Sequence, residues 1–440
     1  MSLFGALNTA ISGLTAQSHA FGNISDDVAN SQTVGYKRID TSFVDYLTTS
    51  TRSTSEPGAV VARPEYANDV QGAITQTSNA LNVAITGRGF FAVSQQTGQT
   101  GTQPVFNPQQ YYSRAGDFSQ NSQGFLVNSA GQFLNGWAAS STSGLINQNA
   151  LIPVQITQSA FNPVPSKTIN LAANLPATPA LGTATVASPI TSNITVYDTL
   201  GTPHAVSLNW VQNAQNDWTL SINSPDAATQ AVGSTNVKFG AIASGNPVSP
   251  GTIGQIGTTT GSITTAGYSA GAAAGVSMIM DFGSGPQTVA LALGTYGGSA
   301  GLTQFAGTTY DLQGIAQDGV PPGSYGGVAI QANGSVVVNY TNGQSKTIAQ
   351  VPLIIFNDPN ALQRQNGQAF TTTAESGNPL AQQVNTGSAG SLAVSSTESS
   401  NVDIATEFSR LIVAQQAYAA NTKVVTTADQ MLQVTLAMKP

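Results

Sequence analysis

The residues of this chain that could do chemistry are few and scattered. There are two histidines, His19 and His204, and no cysteine, so neither a Ser-His-Asp triad nor a Cys/His zinc set can be assembled. His19 falls in an N-terminal helical stretch, and His204 follows a Gly-Thr-Pro turn and reads as a strand-edge residue. Arg114 and Asp117 have the makings of an active-site pair, but without a nearby histidine or second acid they read as a turn-stabilising ion pair. Gly87-Arg88-Gly89 invites comparison with a dinucleotide loop. Strand-like residues follow at Phe90 to Val93 where a helix should open, and Ala92 stands where the third glycine is needed, so that reading is rejected. Twenty acids would permit a two-carboxylate hydrolase, yet none form an aromatic-lined cluster. No catalytic, cofactor-binding or metal-binding residue is assigned, and the chain is not expected to be an enzyme.

Composition bounds what else the chain can be. Charged residues make up 8%, against roughly 25% in an average soluble domain. With 440 residues, of which 40% are apolar, it can hold roughly three domains with real cores. A net charge of -7 with 13 Lys and Arg leaves no basic stripe for phosphates, which argues against nucleic acid. The absence of cysteine leaves the redox compartment open. The N-terminus lacks the features of a secretory signal, and nothing approaches ~18 consecutive apolar residues, so no membrane insertion is expected. Passage out of the cell would need another export route.

The elements that organise the chain lie at its ends. Ile404, Leu411, Tyr418, Val425 and Leu432 recur every seven residues, with Phe408 and Leu436 half a step away. This draws an apolar seam along a helix of roughly 57 Å from Asn401 to Met438. Ser399, Ser400 and Asn401 are its capping candidates, with Asp403 and Glu407 in the first turns. Leu7, Leu14, Phe21 and Val28 repeat at the same spacing, supported by Leu3, Ala10 and Ile24. Neither helix can bury its own seam. Either each packs on its own globular core, or the two pair into a coiled-coil stalk; the regular repeat and the alanine-rich outer faces favour the stalk.

Between the helices the pattern is β. Residues 48–77 are polar and interrupted by Pro57, Gly58 and Pro64, which reads as a linker or irregular arm. Leu81, Val83 and Ile85 alternate as a half-buried strand, and glycine turns punctuate short strands from Tyr111 to Trp137. Alternating strands return at Asn209–Val211 and Trp218–Ile222, while 225–275 is rich in Gly, Ala, Thr and Ser and reads as outer loops or thin exposed β-structure. Asn333-Gly334 and Asn342-Gly343 flank one alternating run, a hairpin signal. The expected architecture is therefore multidomain and nested: a helical stalk from 1–32 with 401–440, a linker or arm at 33–80, a middle β-domain from 81–150 with 314–400, and an outer β-domain at 151–313.

Ala29-Asn30-Ser31, Thr33 and Gly35-Tyr36-Lys37 resemble the signature of bacterial flagellar axial proteins, the rod and hook subunits. Ser400-Asn401-Val402-Asp403, followed by Glu407, Gln415, Tyr418 and Asn421, is similar to the family's C-terminal stretch. Tyr111 to Trp137 resembles its middle-domain elements, and Ile194 to His204 looks like the opening of the outer domain in hook-type members. The resemblance implies a structural subunit that polymerises into a flexible curved tube passing torque from motor to filament. A distal rod-type subunit and an unrelated secreted β-rich surface or tube protein are the alternatives. It further implies, as partners, other copies of the chain, the rod, hook-cap and hook-filament junction proteins and the flagellar export apparatus, and a location in the flagellum after type III export. Phe43 and Leu47 are similar to the family's export-gate motif; otherwise they anchor a helical turn on a neighbouring domain.

Overall fold

The computed structural model of the chain describes residues 3–50, 55–101, 103–140, 144–177, 184–241 and 248–437, with the side chains of 3, 47–50, 55–57 and 436 outside the description. It divides into two compact units, Met1–Gln158 with Gly326–Asn339 and Ser345–Pro440, and Ser159–Tyr325 with Tyr340–Gln344. Strands dominate both. The α-helices among the described residues are α1 (Leu3–Ala29) and α2 (Ile404–Ala437).

In the first unit, α1 ends where the Asn30 side chain returns a hydrogen bond to the Asp26 carbonyl at 2.8 Å and Gly35 turns the chain at φ +69°. The cap of α2 differs from expectation: Asp403 Oδ1 accepts from the Ala405 and Thr406 amides at 2.9 and 3.0 Å, which satisfies the first free N–H groups. Asn401 is engaged elsewhere. The polar stretch read as a linker is also different. β1 (Ile39–Ser50) and β2 (Ser55–Tyr66) form one long antiparallel hairpin. Prolines are tolerated there because a two-stranded ribbon has only edges, and such a ribbon gains its stability by packing. It lies against α1, with Val60 N–H donating to Ser12 Oγ at 3.1 Å and Asn23 Nδ2 to Thr41 Oγ1 at 2.9 Å.

The β-part of this unit centres on a sheet of short strands in the order Tyr325–Ile330, Ser335–Tyr340, Ser345–Gln350, Phe133–Ala139, Phe91–Ser94, Tyr111–Ser113, Ala369–Thr371 and Gln363–Gln365. One of its cores is aromatic, with Phe90 edge-on to Phe356 and Phe370 at 5.8 and 5.6 Å. The Asn-Gly turns form as the sequence suggests. Only the glycines, Gly334 and Gly343, take positive φ (+83° and +79°), while their asparagines do not. Gly87 and Gly89 (φ +93° and +134°) turn the chain between strands Val83–Thr86 and Phe91–Ser94.

In the second unit, a five-stranded antiparallel meander runs in sequence order through Ile190–Tyr197, Pro203–Ala214, Asp217–Asn223, Ala231–Phe239 and Ile253–Gly261. A second sheet is built on Ala273–Asp281, Pro286–Thr295 and Thr168–Asn174, the last two parallel. Both sheets contribute to one core that includes Trp210, Trp218, Leu220, Met278 and Leu291, all fully buried. The stretch 225–275, read as outer loops or thin exposed β-structure, thus supplies three full strands, because Val232, Val237, Phe239, Ile253, Ile256 and Ile263 face that core. His204 is buried, its ring stacked 3.9 Å from Phe282 and its nitrogens facing Asp198 and Asp226 at 3.5 and 3.4 Å.

Candidate assembly site at the paired termini

Where the two ends of the chain meet, the residues after α1 and before α2 lock together in a buried charged clasp. Lys37 and Glu398 are both inaccessible to solvent and pair at 2.5 Å, and Arg114 reaches the other carboxylate oxygen at 3.2 Å. Backbone groups complete the set: the Val70 carbonyl accepts from Lys37 Nζ at 2.6 Å, Gly72 N–H donates to Glu398 at 2.9 Å, and the Gly87 carbonyl accepts from Arg114 at 2.8 Å. Two cations share one carboxylate, and carbonyls accept from Lys37 Nζ and both terminal nitrogens of Arg114, while Arg114 Nε is buried without a hydrogen-bond partner. Burial lowers the Lys37 pKa to about 8 despite Glu398 beside it, and it lowers that of Arg114 as well. Arg114 therefore does not pair with Asp117, as local sequence suggested. Asp117 instead accepts the Ser129 amide at 3.3 Å.

Gly35 and Tyr36 make this convergence possible. A Cβ on Gly35 would stand 2.4 Å from the Ala115 nitrogen, so both the positive φ and the close approach require glycine. Its N–H donates to the Glu398 carbonyl at 2.8 Å. Tyr36 Oη donates to Asp27 at 2.8 Å, and Asp27 also accepts the Ile39 amide at 3.0 and 3.1 Å. Burial raises Asp27 to about 6 against these hydrogen bonds, and it raises Tyr36. Arg364 lies 4.7 Å above the Tyr36 ring. Asn401 ties the root of α2 to the same place: its Oδ1 accepts the Arg38 amide at 2.7 Å, and its Nδ2 donates to the Ala67 and Val70 carbonyls at 3.1 Å each.

From this root α1 and α2 run antiparallel, with Ala6 beside Val424 and Ala428, Gly13 against Asn421, and Phe21 edge-on to Tyr418 at 6.1 Å. The buried line of α1 is Ala10, Gly13, Ala16, Ala20, Ile24 and, at its end, Asp27. Small residues hold the close approach; a Cβ on Gly13 would sit 2.8 Å from Asn421 Nδ2. Leu7, Leu14, Phe21 and Val28 are half-buried beside that line. On α2, Leu411, Val425 and Leu432 are half-buried, whereas Ile404, Phe408 and Tyr418 of the same expected seam are 41%, 51% and 42% exposed. Ile412, Val413, Val424, Met431 and Val434 are exposed too, so α2 presents apolar side chains well beyond the strip facing α1. A helix apolar around much of its circumference has surface left to bury.

Of the residues the sequence singled out, Gly35, Tyr36 and Lys37 converge on the clasp, Ala29 and Asn30 close α1, and the seam residues divide between a half-buried strip and an exposed face. Phe43 lies on β1, 46% exposed, and the Leu47 side chain is outside the described residues. Sequence reasoning missed Asp27 and Glu398. Glu398 is 361 positions from Lys37, and no local pattern links them. Among the described residues no three His, Asp or Glu side chains are grouped to hold a metal, and no helix is long and apolar enough to cross a membrane.

Three family models match: Flagellar hook protein FlgE/F/G D1 domain over residues 84–170, Flagellar basal body protein FlaE D2 domain over 169–320, and Flagellar basal body rod FlgEFG protein C-terminal over 394–438. The flagellar hook proteins FlgE of Brucella suis and Rhizobium meliloti are each 30% identical, over 445 and 446 residues, with both chains covered in full. That of Salmonella typhimurium is 28% identical over 97% of this chain and 98% of its own length. The solved Helicobacter pylori flagellar hook protein FlgE2 aligns over 72% of this chain and 98% of its own with a TM-score of 0.47 and 12% identity.

Proposed function

The chain belongs to the flagellar hook protein family, and we propose that its paired terminal helices are what joins its copies into the hook. As a structural subunit of that polymer it helps form the flexible curved tube that passes torque from motor to filament. The observation that carries the proposal is the exposed apolar surface of α2. Phe408, Ile412, Val413, Met431 and Val434 are each more than half exposed, in a chain with 8% charged residues. Left in water, such a surface is a liability; covered by the helices of neighbouring copies, it is the dominant attraction between them.

Leu7, Leu14, Phe21, Val28, Ile404, Phe408, Leu411, Tyr418, Val425 and Leu432 form the assembly seam in this reading, as a coiled-coil stalk shared among copies. The clasp supports the reading by fixing where both helices leave the β-structure, so that every copy presents the same surface. Weakly charged outer faces suit a tube that bends as it turns, since no single contact is strong enough to stop neighbours shifting. Rod, cap and junction proteins are its further partners, the export apparatus carries it out of the cell, and Phe43 with Leu47 is the motif offered to the export gate. Electron microscopy of basal bodies from source cells lacking the chain tests the function. Complete rods ending without hooks are expected; normal flagella would reject it.

A further inference from the structure

A groove of about 550 Å³ runs between α1, the hairpin and α2, with apolar walls that include Ala20, Phe43 and Val413 and three acids, Asp40, Glu65 and Glu407. Asp40 and Glu65 face each other directly in the hairpin register, an arrangement that like charges disfavour. Asp40 is bridged by Arg38 at 3.2 Å and by Arg410. Glu65 makes no ion pair among the described residues. Glu407 is 1% exposed; one of its oxygens takes Arg410 at 3.0 Å, and the other is shielded from solvent with no hydrogen-bond partner. The groove therefore sets Glu65, exposed and without an ion pair among the described residues, beside the Glu407 carboxylate between apolar walls, which suits a cation carried on an apolar surface.

The terminal elements carry such a group. Among their described cations, Lys37, Arg38 and Arg410 are paired with acids, and Arg63 donates to Tyr46 Oη at 2.9 Å. Lys423, on α2 beside the exposed Val424, makes no ion pair among the described residues. We propose that Lys423 of a second copy of this chain docks in the groove, its ammonium between Glu65 and Glu407 and Val424 against the apolar wall. This rests on the assembly reading above and names one contact within it. Lys423 lies sixteen residues beyond Glu407 on α2, about 24 Å along the helix at ~1.5 Å per residue, too far to fill the groove of its own copy. Knob and socket are thus different patches, and a contact between different patches repeats from copy to copy, into an open helix where its rotation does not close, instead of ending as a two-fold dimer.

The test is a charge swap in the full chain, read as the concentration at which it sediments as polymer. Lys423→Glu and Glu65→Lys should each raise that concentration at least ~10-fold, and the double variant should bring it back to within ~3-fold of the natural chain. Glu65→Lys should fold, because it places a cation opposite Asp40; unchanged circular dichroism of both single variants is the control. Polymer formation that ignores both single changes, a double variant no better than the singles, or an equal effect from Arg63→Glu in place of Lys423→Glu would each overturn the contact while leaving the assembly reading intact. A natural chain that forms no polymer would overturn the assembly reading itself.

Discussion

The second unit and the terminal helices spend their apolar residues in opposite ways. In the meander of the second unit, each strand alternates and its inward residues vanish from solvent, so that Trp210, Trp218, Leu220 and Ile222 are all fully buried. Among the described side chains of α2, only Glu407, Ala414 and Ala428 are buried. One region satisfies its hydrophobic surface within its own chain, and the other leaves much of it exposed, which the proposed assembly would cover. The clasp joins this unfinished element to the rest of the first unit with charges instead of hydrocarbon. A buried ion pair adds little net stability compared with well-packed apolar residues, but it is severe on any state in which a partner is missing. It suits a root that must be placed in one way only.

The contrast is broken most sharply by removing a member of each region. Glu398→Ala leaves Lys37 and Arg114 buried without their acid and should cost about 3–5 kcal/mol in denaturant unfolding of the first unit. Trp210→Ala should cost about as much, roughly 3–5 kcal/mol, in the second unit. Each loss should appear in the unit that carries the change, as followed by residue-resolved hydrogen exchange. Gly35→Ala is smaller, roughly 1–3 kcal/mol from the positive φ, with added cost from the contact with Ala115.

The pH dependence separates the units in sign. Asp27, raised by burial from its ordinary 3.8 to about 6, binds its proton more tightly folded than unfolded. Its contribution is therefore fully present below the unfolded value and is lost as pH rises through about 6. Asp27→Asn keeps an acceptor for Tyr36 and Ile39 and should flatten that slope. In the second unit, burial would raise Asp198 and Asp318, but backbone N–H groups, those of Thr202 and Leu200 and of Thr168 and Lys167 respectively, hold both below the usual carboxylate range. Their contribution is present above about 3.8 and is lost as pH falls further, so acid should weaken the second unit while the contribution of Asp27 to the first unit stays in place. The smallest effect on monomer stability comes from Leu14→Asp and Leu411→Asp. Both should leave the β-units folded by circular dichroism and abolish sedimentable polymer.

Periodicity made the helices legible, since a seven-residue apolar repeat is local. It did not reveal that alanines and a glycine form the tightest line of α1, because close approach is a property of the pair. Strand alternation likewise announced the core of the second unit around Trp210 and Trp218. The hairpin β1–β2 was missed because Pro57 and Pro64 read as breaks, and they are so only for a strand with partners on both sides. The ion pair of Lys37 with Glu398 was out of reach for another reason: folding brings together residues whose local sequences say nothing of each other. Arg114 shows the same limit, since Asp117 was near in sequence and Glu398 proved near in space.

Hydrogen exchange on a monodisperse sample of the free chain bears most directly on the claim that the termini are completed by other copies. Amides around Leu14 and Leu411 should exchange nearly as fast as in an unfolded peptide, while those of strands Pro203–Ala214 and Asp217–Asn223 remain protected. Strong protection at both termini in the monomer would contradict the claim, because helices already stable alone would have no need of neighbours.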